Sequence, residues 1–140
     1  MRYVLDSSVA FKWFVREAET DSALRLRDAF RNAVHELVAP DVFPIEIAHA
    51  LMRALRQGRL AASDSLDLLA YALKTLPELH ASLPLLPRAA ELSAMARIGI
   101  YDCLYVALAE QEQCELVTAD KRLLNTFQAQ FSVIAVWDVH

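Results

Sequence analysis

The chain has 140 residues, of which 56% are apolar and 23% charged, and its 14 basic and 18 acidic residues leave a net charge of −4. This apolar content excludes an intrinsically disordered chain, and the acidic balance excludes a passive nucleic-acid coat, which needs a basic face. It does not exclude an enzyme that meets nucleic acid through metal ions.

The predicted elements alternate along the chain. Arg2–Leu5 is a β-prone run ending at Asp6, after which Ser7 and Ser8 offer a cap for a helix over residues 9–14. A second helix covers 19–32, with Ala23, Leu26, Ala29 and Phe30 at helical spacing. A buried strand over 36–39 stops at Pro40. Asp41 then caps a helix that tolerates Pro44 in its first turn and ends near Gly58. Ser63 or Asp64 opens a Leu-rich helix that ends before Pro77, and a short strand is expected at 83–86. Helices over 88–97 and 102–113 are broken at Gly99. A strand over Glu115–Thr118, a helical turn over 120–127 and a strand over 132–137 complete the chain. Short apolar strands alternating with helices predict an α/β fold with a parallel sheet covered on both faces. No repeat or linker divides the chain, so a single domain over 1–140 is expected. Two glycines, Gly58 and Gly99, leave no material for a Gly-rich phosphate loop. Asp6 and Lys12 come too early for a signal peptide, and no stretch reads as a membrane span. The two cysteines, Cys103 and Cys114, fit a reduced cytoplasmic protein.

In an open parallel sheet, sites form beyond the carboxyl ends of the strands. Asp6 closes the first strand and Asp120 follows the strand 115–118, so parallel strands put both at one edge. Glu46 lies in the first turns of the helix after Pro40, and Asp102 opens the helix after Gly99; both helices can begin at that edge. Helical spacing from Glu46 gives a polar stripe of His49, Arg53 and Gln57, opposite Ile47, Leu51 and Leu55. Asp102 leads a helix that is apolar on nearly all sides, a costly place for a charge without compensation. The helix N-terminus supplies some compensation and a divalent cation more. Each acid taken singly also reads as an ordinary turn, cap or solvated helix residue; their shared edge is what points to chemistry. Four carboxylates at one edge repel unless a cation neutralises them. An oxygen-only donor set without Cys/His metal spacing suits Mg²⁺ or Mn²⁺ rather than zinc.

These segments together resemble a known family. Residues 4–14, Val-Leu-Asp-Ser-Ser-Val-Ala-Phe-Lys-Trp-Phe, with Glu17 soon after, resemble the opening of PIN-domain proteins, closest to the VapC-like toxins of bacterial toxin–antitoxin pairs. Ala39-Pro40 with Glu46-Ile47-Ala48-His49-Ala50-Leu51 resembles the second acidic motif of that family, residues 101–110 the third, and 116–123 the fourth. The resemblance implies a PIN fold, an α/β/α sandwich with a parallel sheet of about five strands. It also implies a Mg²⁺- or Mn²⁺-dependent endoribonuclease that cleaves RNA by metal-activated water. Asp6, Glu46, Asp102 and Asp120 match the family's acidic positions as catalytic and metal-holding residues, with Asp6 and Asp102 as direct ligands. Ser7 and Thr118 match its supporting hydroxyls. An antitoxin partner and a homodimer are implied as well, with helices around 9–14 and 45–55 as the walls of the antitoxin groove, through Phe11, Trp13, Phe14, Leu51 and Leu55.

His49 stands where the family often has Asn and is read as a partly exposed helix residue. Cys103 stands where Ala is common and is read as core. Lys12, Arg16 and Arg122 lie near the motifs as candidate RNA-backbone contacts, while His35, His80 and His140 take no role. Two other readings compete. A catalytically inactive PIN-like scaffold that binds a protein partner would keep the fold without the chemistry. A phosphorylatable receiver-like module would need an acidic pair after its first strand and a Lys after a late one, and neither is present.

Overall fold

A computed structural model describes residues 1–139. Five strands form one parallel sheet in the order β3-β2-β1-β4-β5. They are β1 (Arg2–Leu5), β2 (Glu36–Pro40), β3 (Glu78–His80), β4 (Glu115–Thr118) and β5 (Val133–Ala135). In the central strand Val4 is in register with Val38 on one side and Leu116 on the other. Consecutive residues of β1, β2 and β4 are buried. Since successive side chains point to opposite faces, both faces of the sheet are covered.

Among the described residues seven helices supply that cover: α1 (Ser7–Phe11), α2 (Thr20–Arg31), α3 (Phe43–Arg56), α4 (Ala62–Lys74), α5 (Leu86–Ala96), α6 (Ile100–Glu112) and α7 (Lys121–Phe127). The sequence of α6 is apolar all round, and every residue from Cys103 through Ala109 is buried. This helix packs against β1, β2, β4 and α5 and forms the centre of the core. Asp102, in the first turn of this helix, therefore leads directly into a segment with no solvated face. Among the described residues no single helix is long and apolar enough to cross a membrane.

The expected α/β order holds, with local corrections. The strand expected at 83–86 is a 3₁₀ turn, Leu83–Leu85, leading into α5, because Pro84 and Pro87 favour helical N-termini. The strand that does form there, Glu78–His80, pairs only with β2. Ser7 and Ser8 are the first residues of α1 rather than its cap, and α1 ends at Phe11. Asp41 does not cap α3, whose N-cap is Val42; its carboxylate accepts from the Ser82 N–H at 3.2 Å instead. Helix α4 opens after Ala61, ahead of Ser63. Asp102 is the third residue of α6, which begins after Gly99. The last strand stops at Ala135 and turns into a 3₁₀ segment, Val136–Asp138.

Candidate active site

The strand order reverses between β1 and β4, which opens a crevice at their carboxyl ends. Asp6 sits in it. Its N–H donates to Val117 O at 3.1 Å, carrying the ladder one residue past β1, and the residue is only 3% exposed. Ser8 Oγ and Thr118 Oγ1 both donate to Asp6 Oδ2, at 2.6 and 2.7 Å. Thr118 Oγ1 in turn accepts from the Asp120 N–H at 3.0 Å, and Ser8 Oγ from the Ala119 N–H at 3.2 Å. Two hydroxyls thus fix the first acid to the end of β4 without neutralising it. Burial raises the Asp6 pKa; the two hydroxyls oppose that rise, and the charge of Asp120 adds to it.

Each of the other acids is held by a different device. Asp120 is the N-cap of α7, and its Oδ1 accepts from the N–H groups of Arg122 and Leu123 at 2.9 and 3.3 Å. Glu46, in the first turn of α3, accepts from the Tyr105 hydroxyl of α6 at 2.6 Å. Burial pushes the Glu46 pKa up to about 7; the Tyr105 bond opposes this, and the charges of Asp6 and Asp102 reinforce it. Asp102 is pushed up to about 6, by burial first and then by Asp6 and Asp120, with Arg122 partly opposing. Tyr105 is itself fully buried, and burial raises its pKa, so it remains the donor in this pair.

Asp6, Asp102 and Asp120 line one cleft of about 360 Å³. Glu46 lines an adjoining hollow of about 490 Å³ with His49, Ile45 and Tyr101. Ser7, Ala50 and Arg53 border both, so the four predicted acids face one continuous depression. Among the described residues no three His, Cys, Asp or Glu side chains converge as a ready-made ligand cluster. Three of the four acids have raised pKa values, and the nearby Arg122 cation opposes that rise at Asp102. An oxygen-only set with uncompensated charge fits a hard divalent ion, which takes one or two carboxylates and keeps several waters. Cys103 offers no softer ligand: it is buried, bonded to Ile98 O at 3.6 Å, and its thiol is pushed up to about 11 by burial.

Of the two hydroxyl residues expected to support the acids, Thr118 bonds Asp6 and Ser7 lines both hollows, while the serine hydroxyl bonded to Asp6 is that of Ser8, which the sequence did not single out for the site. Tyr105 was also missed, although a hydroxyl one turn after Asp102 in an otherwise apolar helix was a readable signal. Lys12 lines the cleft, whereas exposed Arg16 pairs with Asp21 outside it. Arg122 donates to Arg97 O at 3.1 Å. His49 is exposed and bonds Arg53 at 3.1 Å. Arg53 and Arg59, unmarked in the sequence reading as RNA contacts, border the same cleft.

Residues 3–127 match the PIN domain family. Ribonuclease VapC9 of Mycobacterium tuberculosis is 32% identical over 133 residues, covering 95% of this chain and 97% of the relative. Ribonuclease VapC3 of Pyrobaculum aerophilum is 31% identical over 132 residues, covering 92% and 97%. Among solved structures, a chain of VapBC2 from Rickettsia felis, bound to a DNA fragment from its promoter, superposes with a TM-score of 0.68 over 96% of this chain and 98% of its own, at 15% identity. A chain of VapBC-1 from nontypeable Haemophilus influenzae gives 0.66 over 99% and 100%, at 13% identity. At these identities the structural likeness carries the fold, an α/β/α sandwich around a five-stranded parallel sheet.

Proposed function

The chain belongs to the PIN-domain family, and from that membership we propose that it is a Mg²⁺- or Mn²⁺-dependent endoribonuclease, the toxin of a toxin–antitoxin pair. The observation that carries this reading is Asp6, a carboxylate 3% exposed at the switch point of the sheet, oriented by two hydroxyls and paired with no cation. The names of the relatives, VapC ribonucleases over nearly their whole length, support it. In this reading residues 1–140 form one PIN domain that works in the cytoplasm, as a homodimer, on RNA, and is inhibited by a small antitoxin protein.

Asp6 and Asp102 would hold the cation, with Glu46 and Asp120 beside it. When bound, such an ion stabilises charge on a phosphodiester and makes a water more acidic. The chain's own groups set the geometry. Thr118 and Ser8 keep Asp6 in one orientation, Tyr105 does the same for Glu46, and the N-terminus of α7 holds Asp120 by one oxygen. In hydrolysis the water oxygen joins phosphorus and the 3′-oxygen leaves, so the products carry a 5′-phosphate and a 3′-hydroxyl. Single-stranded loops are the expected substrate, because their backbone and bases are accessible.

The test is cleavage of a single-stranded RNA by the purified chain. Activity is expected with Mg²⁺ or Mn²⁺, none with EDTA, and continued cutting when the nucleotide at the cleavage site is 2′-deoxy. Asp6→Asn and Asp102→Asn should each lose at least the ~10–100-fold that even outer-shell partners of a metal site cost. Full activity in EDTA, or in either variant, overturns the metal-dependent mechanism.

A further inference from the structure

One carboxylate in the cleft does not belong to the acid cluster. Glu17 borders the same depression as Asp6, Asp102 and Asp120, but both of its oxygens are engaged. Oε1 accepts from Lys12 Nζ at 3.2 Å and Oε2 from Arg59 Nη2 at 3.1 Å. A single anion therefore bridges two cations that lie 47 residues apart in the chain (59 − 12).

Each member is held independently. The Glu17 N–H donates to Thr20 Oγ1 at 2.9 Å, and Thr20 is buried. The Lys12 side chain is only 12% exposed. Arg59 lies over the Phe11 ring, 5.8 Å from its centroid. Its backbone is set by the end of α3, where the Gly58 N–H bonds Leu55 O and the Arg59 N–H bonds Ala54 O. This is a Schellman ending, with Gly58 at a φ of +74°.

The charge arrangement is informative. Lys12 shares the cleft with Asp6, Asp102 and Asp120, none of which forms a salt bridge among the described residues, yet it pairs with Glu17. The bridge carries one net positive charge, and both cations keep unused donors. An ammonium has three N–H groups and a guanidinium five, in a fork that matches phosphate.

We propose that Glu17 is a positioning residue: it holds Lys12 and Arg59 as a two-cation clamp for an RNA phosphate beside the acid cluster, and it keeps Lys12 away from the carboxylates. This rests on the ribonuclease reading above. The sign of the effect separates it from simple charge. Glu17→Gln makes the protein more positive, which by itself tightens binding to a polyanion. A clamp without its bridge predicts the reverse.

The full chain is tested against a labelled single-stranded RNA by fluorescence anisotropy in EDTA, and separately for Mn²⁺ binding by calorimetry without RNA. Glu17→Gln should bind RNA on the order of 10-fold more weakly, about 1.4 kcal/mol. Its salt dependence should be shallower by about 0.7 for each phosphate that the clamp no longer neutralises. Lys12→Met and Arg59→Met should weaken RNA binding similarly, which keeps the test decisive if Glu17→Gln folds poorly. Glu17→Gln should also weaken Mn²⁺ binding, and adding Lys12→Met should restore Mn²⁺ affinity but not RNA affinity. If Glu17→Gln, or both single cation variants, bind RNA as tightly as wild type with the same salt slope, the clamp is wrong, and wild-type cleavage would leave the ribonuclease reading standing. Wild-type protein that neither binds nor cuts RNA overturns both.

Discussion

Asp6 shows what kind of site this is, because its surroundings orient a negative charge without cancelling it. Hydrogen bonds to a charged group are worth about 1.5–3 kcal/mol, while burial of an unpaired charge costs several kcal/mol. The raised pKa says that burial wins over the two hydroxyls. Glu46 and Asp102 follow the same pattern, at about 7 and about 6. Their folded pKa values lie above the ordinary 4.5 and 3.8, so the folded protein holds more protons than the unfolded chain between about pH 4 and 7. The associated stability is fully present below that window and is lost as pH rises through it, on the order of 2 kcal/mol per group. Metal-free protein should therefore melt at a lower temperature at pH 7.5 than at pH 5, with a shallower decline in Asp102→Asn. The lowered pKa values of Glu78 and Glu110 have the opposite sign, but their window lies below 4.5. A melting temperature that rises from pH 5 to 7.5 without metal would contradict the raised values. Added Mn²⁺ should stabilise wild type by about 2.7 kcal/mol at 100 times its dissociation constant, and Asp102→Asn should lose most of that response. Equal metal-induced shifts in the two proteins would remove Asp102 from the ligand set. The four acids were legible in the sequence because strand ends and helix starts can be read from local pattern. The phenol partner was not, since Tyr105 reaches Glu46 through a tertiary contact between α6 and α3, and Ser8, only two residues from Asp6, was read as part of a helix cap.

Among the elements, those with strong local signals were the most legible. β1 and β4 are apolar runs closed by an acid or a hydroxyl, and both match expectation to the residue. β3 escaped notice because only three residues pair, at the sheet edge, and its Leu79 is 37% exposed, so no hydrophobic pattern marks it. The apolar run at 83–86 drew the assignment instead, and its prolines turn it helical. The end of α3 is a case where one residue type was decisive. A Cβ at Gly58 would meet nothing within 4 Å, so space is no constraint, but its φ of +74° disfavours any other residue. Gly58→Ala is expected to destabilise the fold by about 1 kcal/mol, read as a lowered urea midpoint with an unchanged slope. Because Arg59 follows directly, RNA affinity should fall as well, whereas Gly99→Ala, at the N-cap of α6 and away from Arg59, should leave RNA affinity nearly unchanged.

At the scale of the molecule, the cleft makes demands on whatever inhibits it. Large apolar side chains stand exposed at the cleft: Ile45 at 69% and Tyr101 at 57%. The groove walls need one correction. Leu51 is fully buried and belongs to the core, and Leu55 is half-buried. Trp13 instead borders a hollow of about 330 Å³ with Phe30 and Leu76, rimmed by Arg27, Arg31 and Lys74. An antitoxin that covers the acid cleft must satisfy Asp6, Asp102 and Asp120 without leaving their charges buried and unpaired, which would cost several kcal/mol. A basic side chain from the inhibitor, best an Arg, pairs bidentately with carboxylates and competes directly with the metal. An amphipathic helix laid over the neighbouring apolar side chains would supply the remaining contact. The expected outcome of co-expression with the product of the adjacent upstream reading frame is co-purification with loss of RNA cleavage. Inhibition should weaken as Mn²⁺ is raised, because ion and guanidinium claim the same oxygens, and Asp102→Asn should bind the antitoxin less tightly. A chain that purifies alone and cuts RNA at an unchanged rate beside that neighbour would end the toxin–antitoxin assignment and leave the nuclease standing.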